Sequence, residues 1–405
     1  MSKLKELIDR LCPDGVEYTT LGKVTEIRRG VRVVKSNLET QGDIPVYQNS
    51  LTPLGYYTKS NFPADTAFVI GAGAAGEIGF SAIPYWGADD CYSIICSPNI
   101  ISKYVYYQLA NNQIFLKSRV RTASIPRLAR SAIEQFPIPV PPIEIQEEIV
   151  KILDRFADYA AELQAELQAR KEQYEYYRNL LLTFNPSACG CGTDGEQEIK
   201  ITTWGGRSYE FAWKTMGKIC SNICSGGTPS TSVKSYYNGN IPWMRTQEVD
   251  WKDVYDTEIK ITEDAVKNSS AKVIPANCVI IAMYGATAAK CCINRIPLST
   301  NQACCNLQIN PQIADYRYVY QYICNEYHNI KAMGEGSQSN INAAKIKNYR
   351  IPVPPLELQE KIVAILDRFE TLVNDLTQGL PAEIAAVKEQ YEYYRNKLLT
   401  FKKAS

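Results

Sequence analysis

One histidine, His328, is all that 405 residues supply, so a His-based general acid–base site has almost no raw material. No G-x-x-x-x-G-K-[ST] phosphate loop, H-E-x-x-H or G-x-S-x-G occurs, and catalysis within the chain is not expected. Surplus charge is missing as well: 44 Lys+Arg against 43 Asp+Glu leave a net charge of +1, too little for a global field announcing nucleic acid, membrane or an acidic substrate. Long apolar runs are absent, since the most apolar stretches, 66–76 and 278–289, are too short to span a bilayer. With a charged, amphipathic start (MSKLKE), the chain is expected to be soluble, untargeted and cytoplasmic. Thirteen cysteines form an odd set containing adjacent pairs, Cys291-Cys292 and Cys304-Cys305, unlike a secreted disulfide framework. They point to a reducing compartment. The length suits two or more domains with sizeable cores.

What the sequence does contain is a duplication. IPVPPIEIQEEIVKILDRF (138–156) recurs as IPVPPLELQEKIVAILDRF (351–369), identical at 15 of 19 positions at an offset of 213. KEQYEYYRNLLLTF (171–184) recurs as KEQYEYYRNKLLTF (388–401), identical at 13 of 14 at an offset of 217. The period is far beyond that of a solenoid, so whole domains are duplicated. Preceding regions match loosely: Leu21-Gly22-Lys23 with Met216-Gly217-Lys218, Ile44-Pro45 with Ile241-Pro242, and Tyr104-Val105-Tyr106 with Tyr318-Val319-Tyr320. The plan is A-B-A′-B′, with diverged A and nearly copied B. Two copies of one contact surface and two different ligands on one scaffold are implied.

The B tracts read as long helices. Ile149, Leu153, Phe156, Ala160, Leu163, Leu167, Arg170, Tyr174, Tyr177 and Leu181 step 4,3,4,3, a heptad seam. The second seam runs Ile362, Leu366, Phe369, Val373, Leu376, Leu380, Ile384, Val387, Tyr391, Tyr394 and Leu398 with a four-residue stutter. Gly379 and Pro381 lie there, so a kink or break is expected. Forty residues at ~1.5 Å each make a rod of roughly 60 Å. Antiparallel pairing of two rods as a coiled coil would set A and A′ apart under pseudo-two-fold symmetry.

The A regions read as short strands broken by Gly, Pro and Asn, with one helix near 102–111 and another near 315–326. They predict compact α+β modules. Residues 1–142 carry +3, 143–186 carry −4, 187–355 carry +3 and 356–405 carry −1, which describes basic globes on acidic rods. In the first globe the cations gather as Arg28, Arg29, Arg32 and Lys35, then as Lys117, Arg119, Arg121, Arg127 and Arg130. The matching second-globe segments are 225–234 and 334–340. Such side chains suit phosphates and base edges.

Two motifs have simpler readings. Gly71-Ala72-Gly73-Ala74-Ala75-Gly76 matches a dinucleotide fingerprint, but no amphipathic helix follows, and the second-half counterpart keeps only Gly285 opposite Gly73. A Gly-rich strand and turn is expected instead. Cys189, Cys191, Cys220 and Cys224 lack paired zinc-ligand spacing. Neither a metal nor a cofactor is expected.

The A-B-A′-B′ plan, the IPVPPxExQExIVxILDRF tracts and GGTPSTSVKSYYNGNIPWMRTQEV (226–249) together resemble the DNA-specificity subunit of type I restriction-modification systems. The resemblance implies a non-catalytic, α+β protein with two target-recognition domains (1–137 and 187–350). These would be separated by two long antiparallel helices in helical spacers 138–186 and 351–405. It implies that each globe reads half of a bipartite, asymmetric site on double-stranded DNA, that methyltransferase subunits dock on the helices, and that motor and nuclease subunits join for cleavage. The expected DNA contacts are Arg28, Arg29, Arg32, Lys35, Arg119 and Arg121 in the first globe. In the second they are Thr228, Ser230, Lys234, Arg245, Gln338 and Asn340. The expected partner contacts are Ile149, Leu153, Phe156, Tyr174, Tyr177, Ile362, Leu366, Phe369, Tyr391 and Tyr394. One departure is that the first globe has Arg28-Arg29-Gly30-Val31-Arg32 where the second has Gly-Gly-Thr-Pro. The rival reading is a coiled-coil scaffold whose globes bind protein; another is a nucleotide-dependent enzyme using 71–76.

Overall fold

In each repeated tract a Pro-Pro pair (Pro141-Pro142 and Pro354-Pro355) follows a short strand, and a Glu then stands at the positive end of a helix dipole. The computed structural model describes all residues except 1, 35, 37, 40–41, 123, 185–198, 335–339, 376 and 405. In it the first tract forms one 40-residue helix, Ile143–Leu182. The second forms two helices, Leu356–Asn374 and Leu380–Leu399. The expected break therefore lies at 375–379, where the Asp375 carboxylate accepts the N–H groups of Thr377 (2.7 Å) and Gln378 (3.2 Å). A Cβ on Gly379 would stand 2.5 Å from the Thr371 carbonyl oxygen, and Pro381 occupies the first turn of the next helix, where its missing N–H costs nothing. Leu376 of the seam is outside the described residues.

The chain divides into two compact units, 1–165 with 382–405, and 166–381. In the first, an antiparallel sheet runs in the order Thr25–Arg29, Cys91–Cys96, Thr66–Ile70, Ile78–Ser81. All five residues of Thr66–Ile70 are buried, as a β-branched and aromatic run between two neighbours requires. A smaller sheet places Ile44–Tyr47 between Gly55–Tyr57 (antiparallel) and Trp86–Gly87 (parallel). Tyr18–Thr20 pairs with Pro137–Pro139. Helix Ser102–Asn111 covers the larger sheet and buries Tyr104, Val105, Tyr107 and Leu109. Ile145, Ile149 and Leu153 fill the same core with Leu398 and Leu399. Each such side chain, fully buried, contributes about 1.5–3 kcal/mol.

The second unit repeats this plan and adds edges. Its larger sheet runs Cys220–Ser225, Cys304–Ile309, Val279–Ala282, Cys291–Asn294, Asp253–Val254. Its smaller sheet runs Ile259–Ile261, Tyr237–Met244, Leu298–Thr300, Val273–Ile274. Ile199–Trp204, Arg207–Thr215 and Arg350–Val353 form a third. Helix Tyr316–Asn325 packs on the larger sheet, its first amides capped by the Asp315 carboxylate. Both A-region helices thus sit where the sequence places them.

The heptad seam is turned inward in each unit. In the first, Phe156 stacks on Tyr394 at 5.5 Å, while the Tyr159 hydroxyl donates to Glu383 at 2.6 Å. One number rises as the other falls, so the two helices run antiparallel. In the second, Tyr174 and Tyr177 stack on Phe369 at 6.2 and 5.5 Å.

Candidate nucleic-acid interface

The larger sheet of each unit has a fastened end and a free end. In the first unit, Ser97 N–H donates to Val24 (3.2 Å) beside the Thr25–Cys96 pair. Four residues on, the Ile101 N–H donates to Gln146 Oε1 at 2.9 Å, while Gln146 Nε2 donates to the Asn99 and Pro141 carbonyls. The second unit reproduces this: Asn310 N–H to Ile219 (2.9 Å), Asp315 N–H to Gln359 Oε1 (2.8 Å), and Gln359 Nε2 to Ile313 and Pro354. A buried glutamine of the repeated tract thus ties down this end of each sheet.

At the free end, four backbone bonds per unit bring separate loops together. In the first unit, Val31 N–H donates to Gly87, Ala88 to Tyr47, Gly71 to Asp90 and Leu128 to Gly71, at 2.6–2.9 Å. In the second, Gly227 donates to Thr300, Asn301 to Met244, Met283 to Ala303 and Ile341 to Met283, at 2.8–2.9 Å. The residues correspond one to one, which resolves the departure in the first globe. Gly30 occupies the place of Gly226: a Cβ would come within 2.1 Å of the Gly87 oxygen at one and 2.0 Å of the Thr300 oxygen at the other. The next carbonyl is capped by an indole in both, Trp86 to Val31 (2.9 Å) and Trp243 to Gly227 (3.0 Å), although the tryptophans come from different strands. Gly73 and Gly285, at φ +79° and +81°, turn the adjacent loop. That position favours glycine.

The expected contact residues fall on this frame as follows. Arg28 and Arg29 end the first strand; Arg28 pairs with Glu26 at 2.7 Å and Arg29 Nε donates to the Asp89 carbonyl at 2.6 Å. Arg32 is exposed beyond Gly30, in the place of Thr228. Arg119 lies over the Phe115 ring at 3.5 Å, and exposed Arg121 exchanges backbone hydrogen bonds with Arg127, which bridges to Ala72 in the glycine turn. The two basic segments of the first globe therefore meet at one end. In the second unit Thr228 donates to the Gln302 side chain, Ser230 and Ser232 hydroxyls lie 2.7 Å apart, and Lys234 is exposed in a short 3-10 turn. Asn340 is exposed next to Ile341. Arg245 is half-buried and bonded to Glu258 at 2.5 Å, which makes part of its charge structural. Lys35 and Gln338 are outside the described residues.

The frame also presents residues that no motif marks. Asn49 is exposed against Gly73, its carbonyl accepting the Ala74 N–H at 2.9 Å. In the second unit Gln302 and Tyr284 are exposed at the same end. The signal available in the sequence is the offset of 213, which sets Gln302 opposite Asp89.

The partner contacts need correction. Ile149, Leu153, Ile362 and Leu366 have 0% exposure, and Tyr174 only 8%. Phe156, Tyr177, Phe369, Tyr391 and Tyr394 are half-buried in ring contacts within their units. A seam satisfied inside the chain offers little to another subunit. The repeated tracts instead expose Tyr176 (64%) and Tyr393 (60%), equivalent at the offset of 217 and each set edge-on to the next tyrosine.

The glycine-rich segment joins strands Thr66–Ile70 and Ile78–Ser81 and opens no helix, so it lacks the helix terminus a dinucleotide requires. Among the described residues no three His, Cys, Asp or Glu side chains group as a metal site. Cys189 and Cys191 lie outside them. Burial pushes the Cys91 and Cys304 thiols up to about 12, which suits packing and not nucleophilic chemistry. Among the described residues no helix is long and apolar enough to cross a membrane.

The family model of the type I restriction modification DNA specificity domain matches residues 13–172 and again 211–386. The specificity subunit of the type I restriction enzymes EcoR124I and EcoR124II of Escherichia coli is 36% identical over 330 residues, 76% of this chain and 73% of that one. A type I restriction enzyme specificity subunit of Haemophilus influenzae is 28% identical over 95% of this chain and 96% of its own. Among solved structures, the S subunit of a type I restriction-modification system from M. genitalium superposes with a TM-score of 0.60 at 15% identity, covering 95% of this chain and 96% of that one. That likeness carries the fold, and the duplicated family match carries the assignment. The chain belongs to the type I restriction-modification DNA-specificity family, as a sequence-recognition subunit and not a catalytic one.

Proposed function

We propose that the chain reads a bipartite, asymmetric site on double-stranded DNA, each unit contacting one half through the free end of its larger sheet. The carrying observation is the pair of four-bond frames, alike in backbone and different in side chains: Arg32, Arg121 and Arg127 on one, Thr228, Gln302 and Tyr284 on the other. A shared frame with unlike side chains suits two readers of unlike half-sites. The cations of the first unit would engage phosphates and position the duplex, and the polar side chains would face base edges. With only +3 on residues 1–142 and on 187–355, affinity of the chain alone is expected to be weak and steeply salt-dependent.

The near-identical helical tracts support the docking of two methyltransferase subunits, with Tyr176 and Tyr393 as equivalent anchors, and of motor and nuclease subunits on that assembly. The free cysteines among the described residues, most of them buried, favour a cytoplasmic setting. Mapping methylated bases in cells that carry the chain and its methyltransferase tests this reading. One split motif, lost when the chain is deleted, is expected; an unchanged methylome after deletion would favour the scaffold alternative and overturn it.

A further inference from the structure

The second unit holds one exposed amide on a backbone fixed from several sides. Around Gln302, the Thr300 carbonyl accepts the Gly227 N–H at 2.9 Å, the Asn301 N–H donates to Met244 at 2.9 Å, and the Ala303 carbonyl accepts the Met283 N–H at 2.8 Å. Asn301 closes the turn on itself, its side-chain oxygen accepting the Ala303 N–H at 3.2 Å. The Gln302 side chain is exposed. Its Oε1 accepts the Thr228 hydroxyl, which orients the amide while leaving the second lone pair and both Nε2 hydrogens unused by that bond.

From this geometry we propose that Gln302 reads a base, and that Thr228 positions it. The inference rests on the reading of the free end as the DNA-facing end. An amide of fixed orientation offers an acceptor and a donor side by side, which matches the N6 donor and N7 acceptor of adenine in the major groove. Because its support is rigid, little order has to be imposed on binding. The equivalent residue of the first unit is Asp89, a half-buried, acceptor-only carboxylate whose Oδ1 is buried without a hydrogen-bond partner and whose main-chain carbonyl accepts from Arg29 Nε. Its chemistry suits a base that presents a donor, such as cytosine through N4. One structural position therefore carries two different hydrogen-bonding codes, as an asymmetric site requires.

The test uses the chain assembled with its methyltransferase subunits and compares the methylated motif of the wild type with those of Gln302→Ala, Gln302→Glu and Thr228→Val. The wild type is expected to require adenine at one position of the second unit's half-site, that half being assigned by exchanging residues 1–137. Gln302→Ala should lose discrimination there by roughly 10- to 100-fold and leave the other half unchanged, which also reports that the protein is folded. Gln302→Glu should shift the preference toward cytosine, and Thr228→Val should cause a smaller loss at the same base. An unaltered motif in both Gln302 variants, or a change confined to the first unit's half, overturns the inference while leaving the split-site reading intact. A wild-type motif that is not split overturns both.

Discussion

Gln146 Oε1 accepts the Ile101 N–H at 2.9 Å, and no exposure remains on the glutamine. The same bond joins Gln359 to Asp315 at 2.8 Å, also fully buried. In each copy Nε2 serves two further carbonyls, so truncation strands one backbone donor and two acceptors away from water. Gln146→Ala and Gln359→Ala are each expected to cost about 2–4 kcal/mol, at the upper range for buried unsatisfied groups. Hydrogen exchange checks this: the Ile101 amide should lose protection in the first variant and the Asp315 amide in the second. Equal loss at both amides in either variant would contradict it.

Gly30 and Gly226 permit close approaches that no side chain can share. A Cβ at either would stand only 2.1 or 2.0 Å from a carbonyl oxygen, far inside van der Waals contact. Gly30→Ala is expected to impair reading of one half-site and Gly226→Ala the other, each with a loss of about 2 kcal/mol or more in stability from the displaced backbone. Binding to DNA fragments carrying single half-site changes separates the two.

These glycines also mark how far the sequence alone reaches. The long helices, the break near Gly379 and the A-region helices at 102–111 and 316–325 follow from periodicity and punctuation, which are local. The pairing of Gly73 with Gly285 follows from the repeat. The equivalence of Gly30 and Gly226 does not, because it resides in backbone bonds to Gly87 and Thr300, and the flanking Arg-Arg and Gly-Thr-Pro side chains share nothing. Nor does sequence foretell that Arg245 spends charge on Glu258, or that Ile149 and Leu153 face their own unit's core and leave none of their surface for a partner. Partner and core apolar positions look alike until the neighbours are known.

Tyr176 and Tyr393 are large, exposed and equivalent, a combination suited to anchoring identical partners. Tyr176→Ala or Tyr393→Ala alone is expected to weaken the retention of one methyltransferase subunit by roughly 10-fold or more, and the double variant that of both. Mass measurement of the assembled complex counts the subunits. Full occupancy in the double variant would place docking elsewhere.

Glu370 is mostly buried beside Arg317, accepting from its Nη2 at 2.9 Å and from Gln321 Nε2 at 3.0 Å. Burial raises the carboxyl pKa above its ordinary value, more than the Arg317 charge lowers it. Burial opposes the Arg317 charge in turn, yet Asp367, Glu370 and Asp253 together push its pKa up, so the cation persists. A pKa raised on folding favours the neutral form: the stability it contributes is present at acid pH and lost as pH rises through the folded value. Glu370→Gln, permanently neutral, should therefore unfold at a higher temperature than wild type near pH 7 and at the same temperature near pH 4. Arg317 keeps Asp367 at 2.6 Å and Asp253 at 3.3 Å, so no unpaired charge results. Equal destabilisation at both pH values would contradict this assignment.

The two units are expected to read DNA independently of one another, and exchanging one of them checks this. Residues 1–137 are replaced by the corresponding region of another family member, joined before the helix that begins at Ile143. The methylated motif of the resulting complex is then mapped. A new sequence in one half-site is expected, with the other half retained base for base; a motif changed in both halves, or in neither, would contradict independent reading.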